Sequence, residues 1–170
     1  MKKIFKSFIL LLAVVFLFTA CQKKEVTCEE LLISGLEYGI NGYISNGYIF
    51  LKTDDKSSVF FMPDKTKSVM YSEKFIDALE ATKDFAVYVS ASVPYEIAIF
   101  ECYSKNDIDT ILRMCYERAD EIKIALRSSD WNRQNAMIEI QAYKKYVISV
   151  FSDSTERNEG VIEVIKELLC

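Results

Sequence analysis

The hydrophobic pattern of the C-terminal half constrains the fold most, because its period changes in a regular order. Large apolar residues alternate with smaller or more polar ones over 85–90, and a segment over 96–100 is apolar after its first residue, so both segments are predicted strands. Over 108–126 apolar residues recur every three or four positions, which is typical of one face of a helix. The order of strand, strand and helix then returns, with two strands over 136–151 and a helix over 155–169.

These two strand–strand–helix units predict an α+β domain with an antiparallel sheet, because strands joined by short turns pair antiparallel. We expect the helices to pack on one face of this sheet. The strand at 96–100 is apolar on both faces, which favours a central position. A weaker pattern of the same kind covers 48–82, with strands predicted at 48–51 and 59–62 and a helix after Ser72.

Polar residues mark the predicted helix starts. Thr27 and Glu30 have the spacing of a capping box, in which each side chain accepts a hydrogen bond from the other residue's backbone amide. The long helix opens at Ser104 or Asn106, and the last one opens after Asp153. The predicted buried positions are Ile108, Ile111, Leu112, Cys115, Ala119, Ile122 and Leu126 on the long helix, and Val161, Ile165 and Leu168 on the last helix. Arg113 is expected on the solvated face of the long helix.

The N-terminus has the layout of a secretory signal. A short segment with three lysines is followed by an apolar run over 8–18, and small residues lead directly to Cys21. The run is shorter than the roughly 20 residues of a membrane-spanning helix. We therefore predict a cleaved signal peptide at 1–20, a lipid-anchored tether at 21–27 and a single domain outside the cytoplasm at 28–170.

The sequence Leu-Phe-Thr-Ala-Cys at 17–21 resembles the lipobox of bacterial lipoproteins. The resemblance implies that a diacylglyceryl group is attached to the thiol of Cys21, and more than one acyl chain, such as palmitate, anchors a protein stably. The expected place is the outer face of the cytoplasmic membrane, or the periplasm or outer membrane of a cell that has one. The alternative is an ordinary signal peptide followed by an incidental cysteine.

Composition excludes several classes of function. The chain has no histidine, which removes Ser-His-Asp and Cys-His mechanisms and zinc sites that use imidazole. There are 25 acidic and 21 basic residues, and three of the basic ones lie in the signal segment, so the mature domain is acidic and is not expected to bind nucleic acid. We predict no catalytic residue, no metal and no cofactor.

Four cysteines follow Cys21 at wide and irregular spacing. They form no C-x-x-C pair, so neither a zinc knuckle nor a thioredoxin-like site is expected. If a disulfide forms, we expect it between Cys28 and Cys170, because both lie near the chain ends. Cys102 and Cys115 are expected to be small apolar core residues.

Two residues are candidate interaction sites. Glu96 opens an apolar strand, so it is either a functional buried carboxylate or a carboxylate at the sheet edge that accepts backbone or cationic donors. Trp131 lies in a polar loop over 128–135, where it either contacts a partner or folds back over a helix end.

The strand at 95–100, followed by an acidic helix start at 106–109, resembles the bacterial lipoprotein family catalogued as domain of unknown function 4358. In that family a strand beginning Glu-Ile-Ala leads into a charged helix, a hairpin and a C-terminal helix, and the course of 136–169 is similar. The resemblance covers about residues 68–169, whereas 28–66 match loosely. It implies a lipoprotein and this fold, and it implies no activity or catalytic residue.

These observations predict a non-enzymatic, membrane-anchored binding or accessory module whose partner is an envelope protein, a peptide or a wall component. The alternatives are a lipoprotein that binds a small ligand and, third, a small hydrolase that uses carboxylates. A pocket lined by Tyr and Phe with convergent polar groups would favour the small ligand. A contiguous exposed apolar patch would favour a protein partner.

Overall fold

The computed structural model describes residues 25–39, 46–91, 93, 95–127 and 137–170. In chain order the elements are α1 (Cys28–Gly39), β1 (Gly47–Leu51), α2 (Asp64–Tyr71), a 3-10 turn (Glu73–Phe75), α3 (Ile76–Glu80), β2 (Asp84–Ser90), β3 (Glu96–Glu101), α4 (Lys105–Arg127), β4 (Met137–Tyr143), β5 (Tyr146–Ser152) and α5 (Thr155–Leu169). The five strands form one antiparallel sheet, so the α+β class is confirmed.

The sheet has the strand order β1-β2-β3-β5-β4, which places β3 in the middle as predicted. All six residues of β3 are buried. Neighbouring strands pair in antiparallel register, for example with Phe85 of β2 opposite Phe100 and Ser149 of β5 opposite Ala98. The two predicted strand–strand–helix units are present as β2-β3-α4 and β4-β5-α5.

Helices cover both faces of the sheet, and this corrects the expectation that they pack on one face. Ile97 and Ile99 of β3 belong to a hydrophobic cluster with residues of α1 and α5. Ala98 and Phe100 belong to a second cluster with residues of α2, α3 and α4. The physical reason lies in β3 itself, because a strand that is apolar on both sides needs a cover on each.

The strand predicted at 59–62 is wrong. Phe61 makes only an isolated parallel bridge to Leu51, and the chain before it forms turns. Asp55 stabilises these turns, since its Oδ1 accepts a hydrogen bond from the amide of Ser57 at 2.9 Å, which competes with strand pairing. Pro63 then precedes a helix that was not predicted, α2. The helix expected after Ser72 is a 3-10 turn continued by α3.

Side-chain caps form at three helix starts. The amide of Thr27 donates to Glu30 Oε2 at 3.0 Å and the amide of Glu30 donates to Thr27 Oγ1 at 3.2 Å, which confirms the capping box. Ser104 opens α4, because its Oγ accepts a hydrogen bond from the amide of Asp107 at 3.3 Å. At α5 the cap is Ser154, one residue later than predicted.

The buried face of α5 differs from the prediction at its end. Val161 and Ile165 are buried as expected, but Leu168 is 44% exposed, so that prediction is wrong. Ile162 and Asn158 are buried in addition. The Asn158 amide donates to the carbonyl of Met137 at 3.0 Å, which sets this face of the helix against β4.

No disulfide joins any two cysteines of the described part of the chain. The disulfide considered between Cys28 and Cys170 is therefore wrong: Cys28 is buried at the start of α1, and Cys170 is exposed beside Tyr143 Oη at 3.2 Å. Cys102 and Cys115 are buried in the core as predicted. None of the helices in the described ranges has the length and apolarity needed to span a membrane.

Candidate functional site

A buried ion pair lies where β3 begins. Glu96 is 5% exposed, and its side chain faces α4, from which Arg118 reaches it. Arg118 donates from Nε at 3.2 Å and from Nη2 at 2.9 Å, and both bonds end on Glu96 Oε2. Glu96 therefore accepts a cationic donor, as one of its two interpretations predicts, but it does so on the central strand and not at the edge of the sheet.

The electrostatics of this pair extend into the core. Burial lowers the pKa of the Arg118 guanidinium, but the charge of Glu96 and its hydrogen bonds raise this pKa by more, so it lies above its ordinary value. Burial, and then the negative charge of Glu96, raise the pKa values of the Tyr71 hydroxyl and the Cys115 thiol. Tyr71 Oη has no hydrogen-bond partner within the described residues. Tyr71 and Cys115 therefore stay neutral at physiological pH beside the charged pair.

A cavity of about 200 Å³ opens beside the ion pair. It lies between the ends of β2 and β5, the start of β3 and the C-terminal half of α4. Its polar side chains include Glu96, Arg118 and Glu121, and the apolar residues of its lining include Val89, Ile122, Leu126 and Phe151. An apolar cavity with a few convergent polar groups is the usual form of a small-ligand site.

The ion pair keeps hydrogen-bonding capacity toward a ligand. Because both bonds from Arg118 end on Oε2, Arg118 Nη1 and Glu96 Oε1 have no hydrogen-bond partner in the described part of the chain. Neither atom is among the fully buried side-chain atoms that lack a partner in the described residues, so solvent or a ligand can reach both. The site therefore presents the donor nitrogen Nη1 and the acceptor oxygen Oε1 to a ligand or to water.

A second group of charges surrounds the other end of β3. Glu101 is 3% exposed and forms ion pairs with Lys83 at 2.9 Å and with Lys145. The same lysines bind Glu25, at the start of the described chain, with Lys145 at 3.1 Å. Lys83, and then Lys145, lower the pKa of the Glu25 carboxyl. This network attaches the first described residue to the sheet.

Cys28, Asp84 and Glu101 have potential metal-ligand atoms within 4.8 Å of one another. Glu101 is already paired with two lysines, and Asp84 Oδ2 accepts a hydrogen bond from the amide of Cys28 at 2.9 Å. Burial, and then the charges of Asp84 and Glu101, raise the pKa of the Cys28 thiol, which favours its protonated form. The cluster therefore fits an internal ion-pair network better than an open set of metal ligands.

A larger cavity, of about 370 Å³, lies beside the end of β1. Its buried cation, Lys67, binds Asp64 at 3.1 Å and Glu80. Burial opposes the charge of Lys67, but these two carboxylates raise the pKa of its amino group. Lys52 donates to the backbone carbonyls of Glu80, at 2.8 Å, and Thr82. Since Lys52 and Lys67 already have protein partners, they present fewer hydrogen-bonding groups to a ligand than the ion pair in the cavity at Glu96 does.

Of the predicted site residues, only Glu96 lies within the described part of the chain; Cys21 and Trp131 lie outside it. The sequence interpretation missed Arg118, although a signal was present. Arg118 follows Cys115 by three residues and precedes Ile122 by four, so it lies on the apolar stripe of α4. A cation at such a position predicts a buried partner, which is Glu96.

No family model matches the chain, and no curated protein and no solved structure matches it either. The resemblance to the lipoprotein family of unknown function therefore stays a prediction.

Proposed function

We propose that this chain is a lipid-anchored, non-enzymatic binding module outside the cytoplasmic membrane, and that it binds a small ligand in the cavity beside Glu96 and Arg118. The observation that carries the proposal is the cavity itself, with apolar walls and an ion pair that keeps one donor and one acceptor free among the described residues. This form matches the small-ligand alternative better than a flat surface for a protein partner.

The position of the tether supports the proposal. Glu25 is bound at the end of β3 where Glu101 lies, whereas Glu96 lies five residues away, about 17 Å along the strand. Cys21 precedes Glu25 by four residues, which span at most about 14 Å when fully extended. A lipid on Cys21 would thus hold the Glu101 end near the membrane and leave the cavity at the far end accessible.

The available nucleophiles support a role in binding. The chain has no histidine to activate a hydroxyl or a thiol. Burial raises the pKa of the Cys102 thiol to about 11, and it also raises the pKa values of the Cys28 and Cys115 thiols. At neutral pH these buried thiols stay protonated and are poor nucleophiles.

The anchor is tested by metabolic labelling with a fatty-acid analogue. Wild-type protein should be labelled and sorted to the membrane, whereas Cys21→Ala should carry no label. Label on the Cys21→Ala protein would contradict the lipid anchor.

The cavity is tested by a thermal-shift and NMR screen of chemically diverse small molecules against the full chain in detergent micelles. Ile122→Trp should fill the cavity and remove binding. The matched control is Ile124→Trp on the same helix, because Ile124 is 61% exposed and lies outside the cavity lining. A screen without ligands, or ligands whose binding is equal in both variants, would refute the proposed site.

A further inference from the structure

We infer that the cavity beside Glu96 and Arg118 binds a zwitterionic α-amino acid with an apolar side chain. The inference rests on the proposed function and specifies its ligand. It follows from three properties of the cavity. The ion pair has a donor and an acceptor without a partner among the described residues, the lining has excess negative charge, and the walls are small in extent and apolar.

The ion pair presents complementary groups to the two charges of an amino acid. Glu96 Oε1 is an acceptor for an ammonium group, and Arg118 Nη1 is a donor for a carboxylate. Both would be charge-assisted hydrogen bonds, the stronger kind. A neutral apolar ligand would cover the pair and leave both groups without partners, which is costly.

The net charge of the lining selects against simple anions. Glu121 adds a second carboxylate to the lining, so the two negative charges of Glu96 and Glu121 exceed the single positive charge of Arg118. A fatty acid or an inorganic phosphate would bring further negative charge to this site and no cation for Glu96. A ligand with an ammonium group beside its carboxylate satisfies both sides of the pair.

The size and walls of the cavity limit the rest of the ligand. A volume of about 200 Å³ corresponds to about seven water molecules at roughly 30 Å³ each, below the range of drug-sized pockets. The space suits a single amino acid better than a peptide. Ile122, Leu126 and Phe151 form an apolar wall, which favours an aliphatic side chain such as that of leucine.

The test is equilibrium dialysis of the full chain in detergent micelles with radiolabelled L-leucine. Unlabelled L-leucine should compete fully. N-acetyl-L-leucine lacks the ammonium group and L-leucinamide lacks the carboxylate, so each should compete at least about tenfold more weakly, as expected for the loss of a hydrogen bond to a charged group. N-acetyl-L-leucine that competes as well as L-leucine would overturn the inference.

The variants assign binding to the cavity. The double variant Glu96→Gln with Arg118→Gln removes both charges together, so no lone buried charge remains, and it should lose saturable L-leucine binding. Ile122→Trp should lose binding by filling the space while both charges stay. Glu117→Gln is the matched control, because it removes a carboxylate from α4 outside the cavity lining and should bind normally. Far-ultraviolet circular dichroism establishes that each variant folds.

The outcomes separate this inference from the proposed function. If L-leucine does not bind but other small molecules bind in a manner sensitive to Ile122→Trp, the amino-acid inference is overturned and the binding module stands. If neither L-leucine nor any other small molecule binds, both are overturned. L-leucine binding that survives the double variant and Ile122→Trp would place it elsewhere and overturn the inference.

Discussion

The ion pair between Glu96 and Arg118 provides the sharpest test of the fold. The carboxylate of Glu96 is 6% exposed and Arg118 is 20% exposed, so water can replace little of what the partner supplies. Arg118→Met leaves Glu96 buried without its cation, and loss of one partner of a buried pair typically costs about 3–5 kcal/mol. We expect the free energy of unfolding of Arg118→Met to fall by that amount.

The double variant Glu96→Gln with Arg118→Met tests whether the loss of stability in Arg118→Met comes from the unpaired charge of Glu96 or from lost packing. Replacing a buried pair by uncharged side chains of similar volume is often neutral, so the double variant should recover most of the loss. Urea unfolding followed by circular dichroism measures the free energy of unfolding of both variants. An unchanged slope of this free energy against urea concentration indicates that the surface exposed on unfolding is unchanged. The exposed Lys123 of the same helix is the control, and Lys123→Met should stay within about 0.5 kcal/mol of wild type. Equal losses for the single and double variants would refute the reasoning.

Three further predictions concern packing, thiols and pH. Ile111→Ala should lower the free energy of unfolding by about 2–5 kcal/mol in urea melts, because Ile111 is fully buried. Arg113→Ala should lower it by only about 0.5 kcal/mol, the low end for an exposed cation–π contact, which Arg113 makes with Phe75. Ellman's reagent should modify Cys170 rapidly in the folded protein and the three buried thiols only after unfolding; fast reaction of a buried thiol would contradict the packing. By NMR, the Glu25 carboxyl should titrate below its ordinary pKa of 4.5, and Lys83→Met should raise this pKa. Because folding lowers the pKa, the contact between Glu25 and Lys83 stabilises the fold above about pH 4.5, and this stabilisation is lost as the pH falls further. An unchanged Glu25 pKa in Lys83→Met would rule the contact out.

The parts of the fold that sequence predicts well are those in which local pattern and burial agree. Strands β2, β3 and β5 and helix α4 have long, clean periods, and their bounds agree with the prediction to within a few residues. The strand prediction at 59–62 is wrong because the nearby side chains of Asp55 and Ser58 stabilise turns, and Val59 is 86% exposed. A short apolar run carries no information about whether a strand is available to pair with it.

The cover on the second face of the sheet was predictable in principle. A central strand that is apolar on both sides requires helices on both sides, and the sequence predicts such a strand at 96–100. What the pattern does not contain is the direction in which each helix returns across the sheet, since that depends on long-range packing. Likewise Arg118 lies on an apolar stripe, which implies a buried partner, but only the folded chain brings Glu96 within 2.9 Å of it.

The two ends of β3 explain why binding is proposed at one and not at the other. Each end carries a buried glutamate, Glu96 or Glu101, and each glutamate forms ion pairs with one or two cations from other parts of the chain. At Glu101 two lysines are shared with Glu25, so the charges at this end have partners within the protein. At Glu96 a single guanidinium binds through one carboxylate oxygen, beside an open cavity. Because the same strand places these ends about 17 Å apart, attachment and binding would occupy opposite ends of the sheet without competing.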